Sequence, residues 1–575
     1  MKRLFLFITL ALCSLGIMSC SQSVSDGSIH IVTTGDVHGS WFNKPYVEGG
    51  AYKTSMMSVK YYVDSLRATY GKDNVVLIDA GDCLQGDNAA YYFNYVDTEG
   101  EHLFSRITKY MGYDAVVVGN HDIETGHPVY DKVFKELKKA RIPFLAANAV
   151  VEGTTEAYFP SYTILKKGGM KVAVIGFTNP NMKAWLSEKV WEGIDFLSIT
   201  PMVQAEVDKV RAKENPDIVI LALHAGTGDG DGTQLESQGM DVFNLVEGVD
   251  VVLTSHDHRQ TVMTRPGSNS VLVNGGARAG YVGHVVIDVN QGEKSVDAEV
   301  VRLDKMKVDE KMVEYFDADF QKVKDFTNMK VGTLEMDMRT RDAYKGMSDY
   351  INLVHTVQLT AEEAQISFAA PLTFNGTVKA GELIYNDMFT VYPFENELYV
   401  VKLTGEEIRK YLEYSFEGWI QTSPEHVLRI VPQADPRTGA QRWSFVGRSY
   451  NFDSAAGLNY TVDITKPYGQ RVVITSLADG SEFSESAEYT VSMTSYRASG
   501  GGNLIIEGAG VPKDEIDARV VARYPAIRDM VYEYIKTHGK ITSTLVSDPA
   551  VLGNWHFVPK DKADKLLEAD MNLIF

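Results

Sequence analysis

The sequence predicts an α/β protein: a wound, mostly parallel first half followed by a separate α+β domain. Three observations predict this. Apolar, β-branched runs such as Ala115-Val116-Val117-Val118 and Ile218-Val219-Ile220-Leu221 alternate with segments of helical periodicity. Nearly every such run ends in a cluster of Gly, Asp, Asn or His, where open α/β sheets place their ligands. The chain's 575 residues suit two or three domains, and composition changes after about residue 330.

Composition is ordinary for a globular protein, with 44% hydrophobic and 23% charged residues. The net charge of −20 disfavours extended binding to DNA or RNA, because an acidic surface repels polyanions. Small anions remain possible where a local cation neutralises them. Lys2 and Arg3 precede an apolar run, Leu4 to Met18, which reads as a signal peptide over residues 1–19. Leu15-Gly16-Ile17-Met18-Ser19-Cys20 resembles a bacterial lipobox. The resemblance implies cleavage before Cys20, lipid on its sulfur and an exported protein anchored to a cell-envelope membrane. Residues 20–27 then form a polar tether. Of the three cysteines, Cys13 would leave with the leader and Cys20 would be acylated. Cys83 remains alone, so no intramolecular disulfide is expected.

The first strand, Ser28 to Thr34, ends in Gly35-Asp36-Val37-His38-Gly39. Asp36 and His38 are two apart, so an extended backbone points both the same way. A helix over Tyr52 to Tyr70 leads to the strand Asn74 to Ala80, which ends in Gly81-Asp82-Cys83. The strand Ala115 to Val118 delivers Gly119-Asn120-His121-Asp122-Ile123-Glu124. After a helix from about Pro128 to Lys139, strands at Lys171–Phe177, Asp217–Leu223 and Asp250–Thr254 follow. The last two deliver His224 and Ser255-His256-Asp257-His258. A lone histidine after a strand is usually a hydrogen-bonded structural residue. Five successive strand ends with metal-capable residues are not explained that way. Asp36, His38, Asp82, Asn120, His224, His256 and His258 are too many ligands for one tetrahedral ion. They suit two divalent ions about 3.5–4 Å apart with a bridging carboxylate, Asp82 by chain order. Mixed nitrogen and oxygen donors admit Zn, Mn, Fe or Co.

These motifs resemble the calcineurin-like metallophosphoesterase superfamily over residues 28 to about 305. The resemblance implies a four-layer α/β/β/α domain. One metal would be held by Asp36, His38, Asp82 and His258, the other by Asp82, Asn120, His224 and His256. It also implies that His121 acts at the phosphoryl or leaving-group oxygens, oriented by Glu124. Two such ions lower the pKa of bound water toward neutrality, which makes a hydroxide nucleophile available. Ser255 departs from the family's usual Gly and is expected to affect the turn more than the ligands.

Residues 306–345 read as a helical linker with a hinge near 325–345, and residues 346–575 as the second domain. That half carries no metal-ligand constellation of its own and is expected to read substrate. Tyr450-Asn451-Phe452-Asp453 and Tyr496-Arg497-Ala498-Ser499-Gly500-Gly501 place aromatics on two separate loops, which suits a slot for a flat base. The segments resemble the 5′-nucleotidase C-terminal domain. The match implies that Phe452 and Tyr496 sandwich the base, with Asn451 and Arg497 beside it. Where typical 5′-nucleotidases carry Asn-x-Gly-Gly-x-Arg, this chain has Ser367-Phe368-Ala369-Ala370-Pro371-Leu372. That run, His258 and Asn554-Trp555 look more like the 2′,3′-cyclic-nucleotide 2′-phosphodiesterase/3′-nucleotidase branch. The expected activity is hydrolysis of 2′,3′-cyclic nucleotides and 3′-nucleotides, with a 5′-nucleotidase or UDP-sugar hydrolase as the alternative. A non-catalytic nucleotide-binding lipoprotein is a second alternative, but it has no need of the His121/Glu124 pair.

Overall fold

The structure is a computed structural model that describes residues 26–434 and 441–575. The expected leader, Cys20 and the start of the tether lie outside the described residues. Among the described residues, no helix is long and apolar enough to cross a membrane.

The first half contains two six-stranded sheets. In one, Gly27–Thr34 pairs in parallel with Val75–Asp79 and antiparallel with Tyr281–Asn290. In the other, Met170–Phe177, Ile218–Leu223 and Val251–Thr254 run parallel. The apolar runs are continuous because both faces of each sheet are buried. Ile31, Val76 and Ile78 face Val172, Val174, Ile218 and Ile220 between the sheets. The alternate residues Val32, Val75 and Leu77 face outward into the helices Met56–Tyr70, Leu103–Met111 and His127–Lys139. On the second sheet, Val219, Leu221 and Leu223 pack beneath the helix Val203–Glu214. Helix, sheet, sheet and helix form the four expected layers. The carboxyl ends of the parallel strands open on one edge, where the five motifs lie.

The second half is α+β. Its main sheet runs in the order Ser454–Ala456, Ile366–Ala369, Glu488–Thr494, Glu397–Thr404, Val520–Ala526. Two separate apolar clusters fill it.

The linker differs from expectation. Met312, Phe320 and Val323, on helices Glu310–Tyr315 and Asp317–Thr327, and Phe316 between the two, are buried in the first domain's outer core. Asp319 takes a two-pronged ion pair from Arg106 at 2.7 and 2.9 Å. These helices therefore belong to the first domain. The chain crosses at about residues 328–330, because the strand Lys330–Leu334 already pairs within the second. The domains also touch directly. Tyr91 packs against the second domain's core and Asn88 donates to Asn386 at 2.8 Å.

Candidate active site

Five of the seven predicted ligands sit in the left-handed backbone region: Asp36 (φ 49°), His38 (49°), Asp82 (62°), His256 (73°) and His258 (58°). The expected extended geometry of Asp36/His38 and His256/His258 is thus wrong, although each pair does converge. Left-handed non-glycine residues cost on the order of 1 kcal/mol each. The loops bear this cost because their neighbours fix them. Asp36, His38 and Gly39 donate backbone N–H groups to Gly81, Asp82 and Cys83 carbonyls at 2.9–3.1 Å.

Asp122 is the central support. Its buried carboxylate accepts four backbone N–H groups: Asp82 (3.0 Å), Gly119 (2.8 Å), Cys83 (2.9 Å) and Leu84 (2.9 Å). It thereby ties the Asp82 loop to the Asn120–His121 turn. Asp82 Oδ1 in turn accepts from the His121 N–H at 2.8 Å, and Asp36 Oδ2 from that of His256 at 2.8 Å. Gly119 is required by space, since a Cβ there would lie 2.1 Å from Asp82 Oδ1.

The donors form two groups, Asp36/His38/His258 and Asp82/His224/His256. In the first, the Nε2 atoms of His38 and His258 are only 2.9 Å apart. His38 Nδ1 faces the Gln85 carbonyl at 3.1 Å, so its proton belongs there and Nε2 is a lone pair. Burial holds His38 well below its ordinary pKa and brings His258 to about 4. Asp36 Oδ1 is buried and has no hydrogen-bond donor. A His38 lone pair, the facing His258 nitrogen and a carboxylate oxygen that has no donor converge here, a set that fits a cation. In the second group, His224 Nδ1 faces the Ala80 carbonyl at 2.8 Å. Its Nε2 lies 3.1 Å from Asp82 Oδ2 and 2.9 Å from Asn120 Oδ1. His256 Nδ1 meets the same Asn120 oxygen at 2.9 Å. Burial opposes protonation of His224, but Asp82 outweighs it and raises the imidazole to about 10. A metal ion binding here displaces that proton.

His121 is not in either group. Its Nδ1 is hydrogen-bonded to the Glu124 carboxylate, so its Nε2 faces the opening. Burial lowers its pKa, yet the Asp82 and Glu124 carboxylates prevail and set it at about 9.

Above the site is a cavity of about 590 Å³ lined by both domains. Asp82, Asn120, His121, Glu124, His256 and His258 come from the first; Phe368, Ala369, Tyr450 and Tyr496 are among those from the second.

Residues 29–260 match the model of the calcineurin-like phosphoesterases, and residues 330–507 that of the 5′-nucleotidase C-terminal domain. The chain is a calcineurin-like phosphoesterase with a 5′-nucleotidase C-terminal domain. A Haemophilus influenzae protein named 2′,3′-cyclic-nucleotide 2′-phosphodiesterase/3′-nucleotidase is 25% identical, over 95% of this chain and 90% of its own. A Vibrio vulnificus 5′-nucleotidase is also 25% identical, over 66% of this chain and 74% of its own. Among solved structures, a 5′-nucleotidase precursor from Thermus thermophilus superposes with a TM-score of 0.61 at 20% identity, covering 93% of this chain and all of its own. The fold and the relatives are those of metal-dependent phosphoester hydrolases.

In this phosphoesterase the expected base sandwich needs correction. Tyr496 lines the cavity, but Phe452 is 1% exposed and stacks on Trp419, with ring centroids 5.6 Å apart. The ring presented to the cavity is Tyr450, two residues earlier. A three-residue 3₁₀ turn at Ser449–Asn451 puts Tyr450 and Phe452 on opposite sides, which the sequence spacing does not reveal. Arg497 is buried and spends all five guanidinium donors inside the protein. They go to Asp453 (3.0 and 2.8 Å), Asn451 (3.0 Å), and the Gly501 and Tyr450 carbonyls (3.1 and 2.6 Å). Asn451 is taken up as one of those acceptors. Arg497 is therefore not a free ligand group, and its bond to the Tyr450 carbonyl helps to hold that residue; Asn451 is not among the residues that line the cavity.

Ser255 does more than shape a turn. Its hydroxyl donates to the Ala80 carbonyl at 2.7 Å and lies 3.0 Å from His224 Nδ1. Trp185, unremarked in the sequence, stacks on the His256 ring at 5.4 Å. Glu236 faces the other nitrogen of His256 at 3.8 Å. Trp185 ends the short helix Met182–Trp185 and Glu236 lies in a turn, and neither carries a sequence signal.

Replacing Gly119 with Ala is expected to displace Asp82. Metal analysis should then show fewer than two ions per chain, against the two expected for the wild type.

Proposed function

We propose that this phosphoesterase hydrolyses 2′,3′-cyclic nucleotides and 3′-nucleotides, and that it is exported and held at the cell envelope by lipid on Cys20. The observation that carries the substrate reading is one cavity with the metal donor loops on one wall and Tyr450 and Tyr496 on the other. Two aromatic faces suit a base, and the donor groups suit a phosphoryl group. The H. influenzae relative named for this activity matches nearly the whole chain. Leu372 lines the cavity where typical 5′-nucleotidases carry an arginine, which also favours the cyclic and 3′ substrates. The envelope location rests on the Lys2–Cys20 pattern alone.

Asp36, His38, Asp82 and His258 would hold one ion, and Asp82, Asn120, His224 and His256 the other. When bound, the pair would supply positive charge for the phosphoryl oxygens and acidify water. The chain's own residues do the rest. Tyr450 and Tyr496 fix the base, so the ribose phosphate is presented to the donor loops. His121, protonated at neutral pH, donates from Nε2 to the departing ribose oxygen. Glu124 keeps its proton in place.

Assayed with added Mn²⁺ or Zn²⁺, the purified protein should turn over 2′,3′-cyclic AMP and 3′-AMP faster than 5′-AMP. Preference for 5′-AMP would instead favour the 5′-nucleotidase reading, which the Vibrio relative supports. His121→Ala should lower kcat by about 10²–10⁴ with both metals retained. In Glu124→Gln, His121 loses a carboxylate that raises its pKa. The pH above which turnover declines should therefore move down; an unmoved limb would contradict the role given to Glu124.

A further inference from the structure

Stacking between two tyrosines holds any base, so selection among bases must come from the cavity's hydrogen-bonding groups. Of the residues lining it, two carry a buried side-chain atom with no hydrogen-bond partner: Gln358, at Oε1, and Tyr392, at its hydroxyl. Unsatisfied groups of this kind cost stability and call for an explanation. At Gln358 the unpaired atom is unambiguous. Its amide nitrogen donates to the Phe368 carbonyl at 2.8 Å and to Ser367 Oγ at 3.1 Å. Both amide hydrogens are used, so the side chain cannot turn over. Ser367 is itself held by His355 Nδ1 at 2.9 Å, and His355 Nε2 by Ser454 at 3.1 Å. The oxygen is an acceptor only. The nearby wall offers no bulk, since Ala369 and Ala370 line it. The Tyr392 hydroxyl has the Asn396 amide beside it without a hydrogen bond of normal geometry.

We propose that Gln358 Oε1 is a base-selecting acceptor: it takes the exocyclic amine of adenine or cytosine and disfavours the carbonyl that hypoxanthine or uracil presents at the same edge. The selection rests on the nucleotide reading of the same cavity. Its physical basis is that a fixed acceptor facing a carbonyl leaves two acceptors opposed and unpaired, whereas an amine completes the bond.

The test uses the full protein and nucleosides, so neither metal nor hydrolysis is needed. Binding of adenosine, inosine and N6,N6-dimethyladenosine would be measured by calorimetry. Adenosine should bind about tenfold tighter than either of the others. In Gln358→Met the difference should collapse to less than about threefold. Should that variant fail to fold, the wild-type ligand series decides alone, because inosine and the dimethyl compound each remove the donor in a different way. Equal binding of the three overturns the selection and leaves the nucleotide reading standing. No binding by any of them overturns both.

Discussion

The candidate metal site depends on one buried carboxylate that belongs to neither donor group. Asp122 gathers the N–H groups of Asp82, Cys83, Leu84 and Gly119 and so fuses two loops that belong to neighbouring strands. Burial and the nearby Asp82 charge push its pKa up, while those N–H bonds pull against them. With the N–H groups of Asp36, His38 and Gly39 on the same loop, this knot offsets the conformational cost of holding Asp82 in a left-handed backbone. The cluster of positive φ values at Asp36, His38, Asp82, His256 and His258 is strain stored at a functional site. It is held by a web in which ligand carboxylates and loop carbonyls take the backbone N–H groups of adjoining ligand loops.

The two domains divide the work chemically. The first supplies fixed donors on strand ends buried between sheet and helix. The second supplies rings and hydrogen-bonding groups at the ends of its own main sheet. Arg497 shows how the second wall is built: its charge is neutralised by Asp453, and its remaining donors hold the backbone that carries Tyr450. The interdomain surface is not a loose hinge region in this structure. The helices at 310–327 are part of the first domain's core, so the covalent crossing is only a few residues long.

The layout of the first domain is legible in the sequence, because strands buried on both faces leave continuous apolar runs and these runs end in the candidate ligands. Asp36, His38, Asp82, Asn120, His224, His256 and His258 stand where those motifs place them. The two-apart pairs converge through left-handed backbone rather than through extended alternation, and backbone handedness is invisible in residue identity. The second domain is less legible. Phe452 and Tyr450 are both aromatic and two apart, and only the 3₁₀ turn at Ser449–Asn451 decides which faces the cavity. Arg497 looks like a ligand group in the sequence, but its five donors all go to Asp453, Asn451, Gly501 and Tyr450. Trp185, Glu236 and Gln358 reach the site through tertiary packing alone.

The central claim is a dinuclear centre with Asp82 between two ions. It is tested most directly by anomalous diffraction from crystals of the protein grown with Mn²⁺. The account predicts two anomalous peaks about 3.5–4 Å apart, with Asp82 touching both, Asp36, His38 and His258 at one, and Asn120, His224 and His256 at the other. A single peak, or two that do not share Asp82, would contradict it.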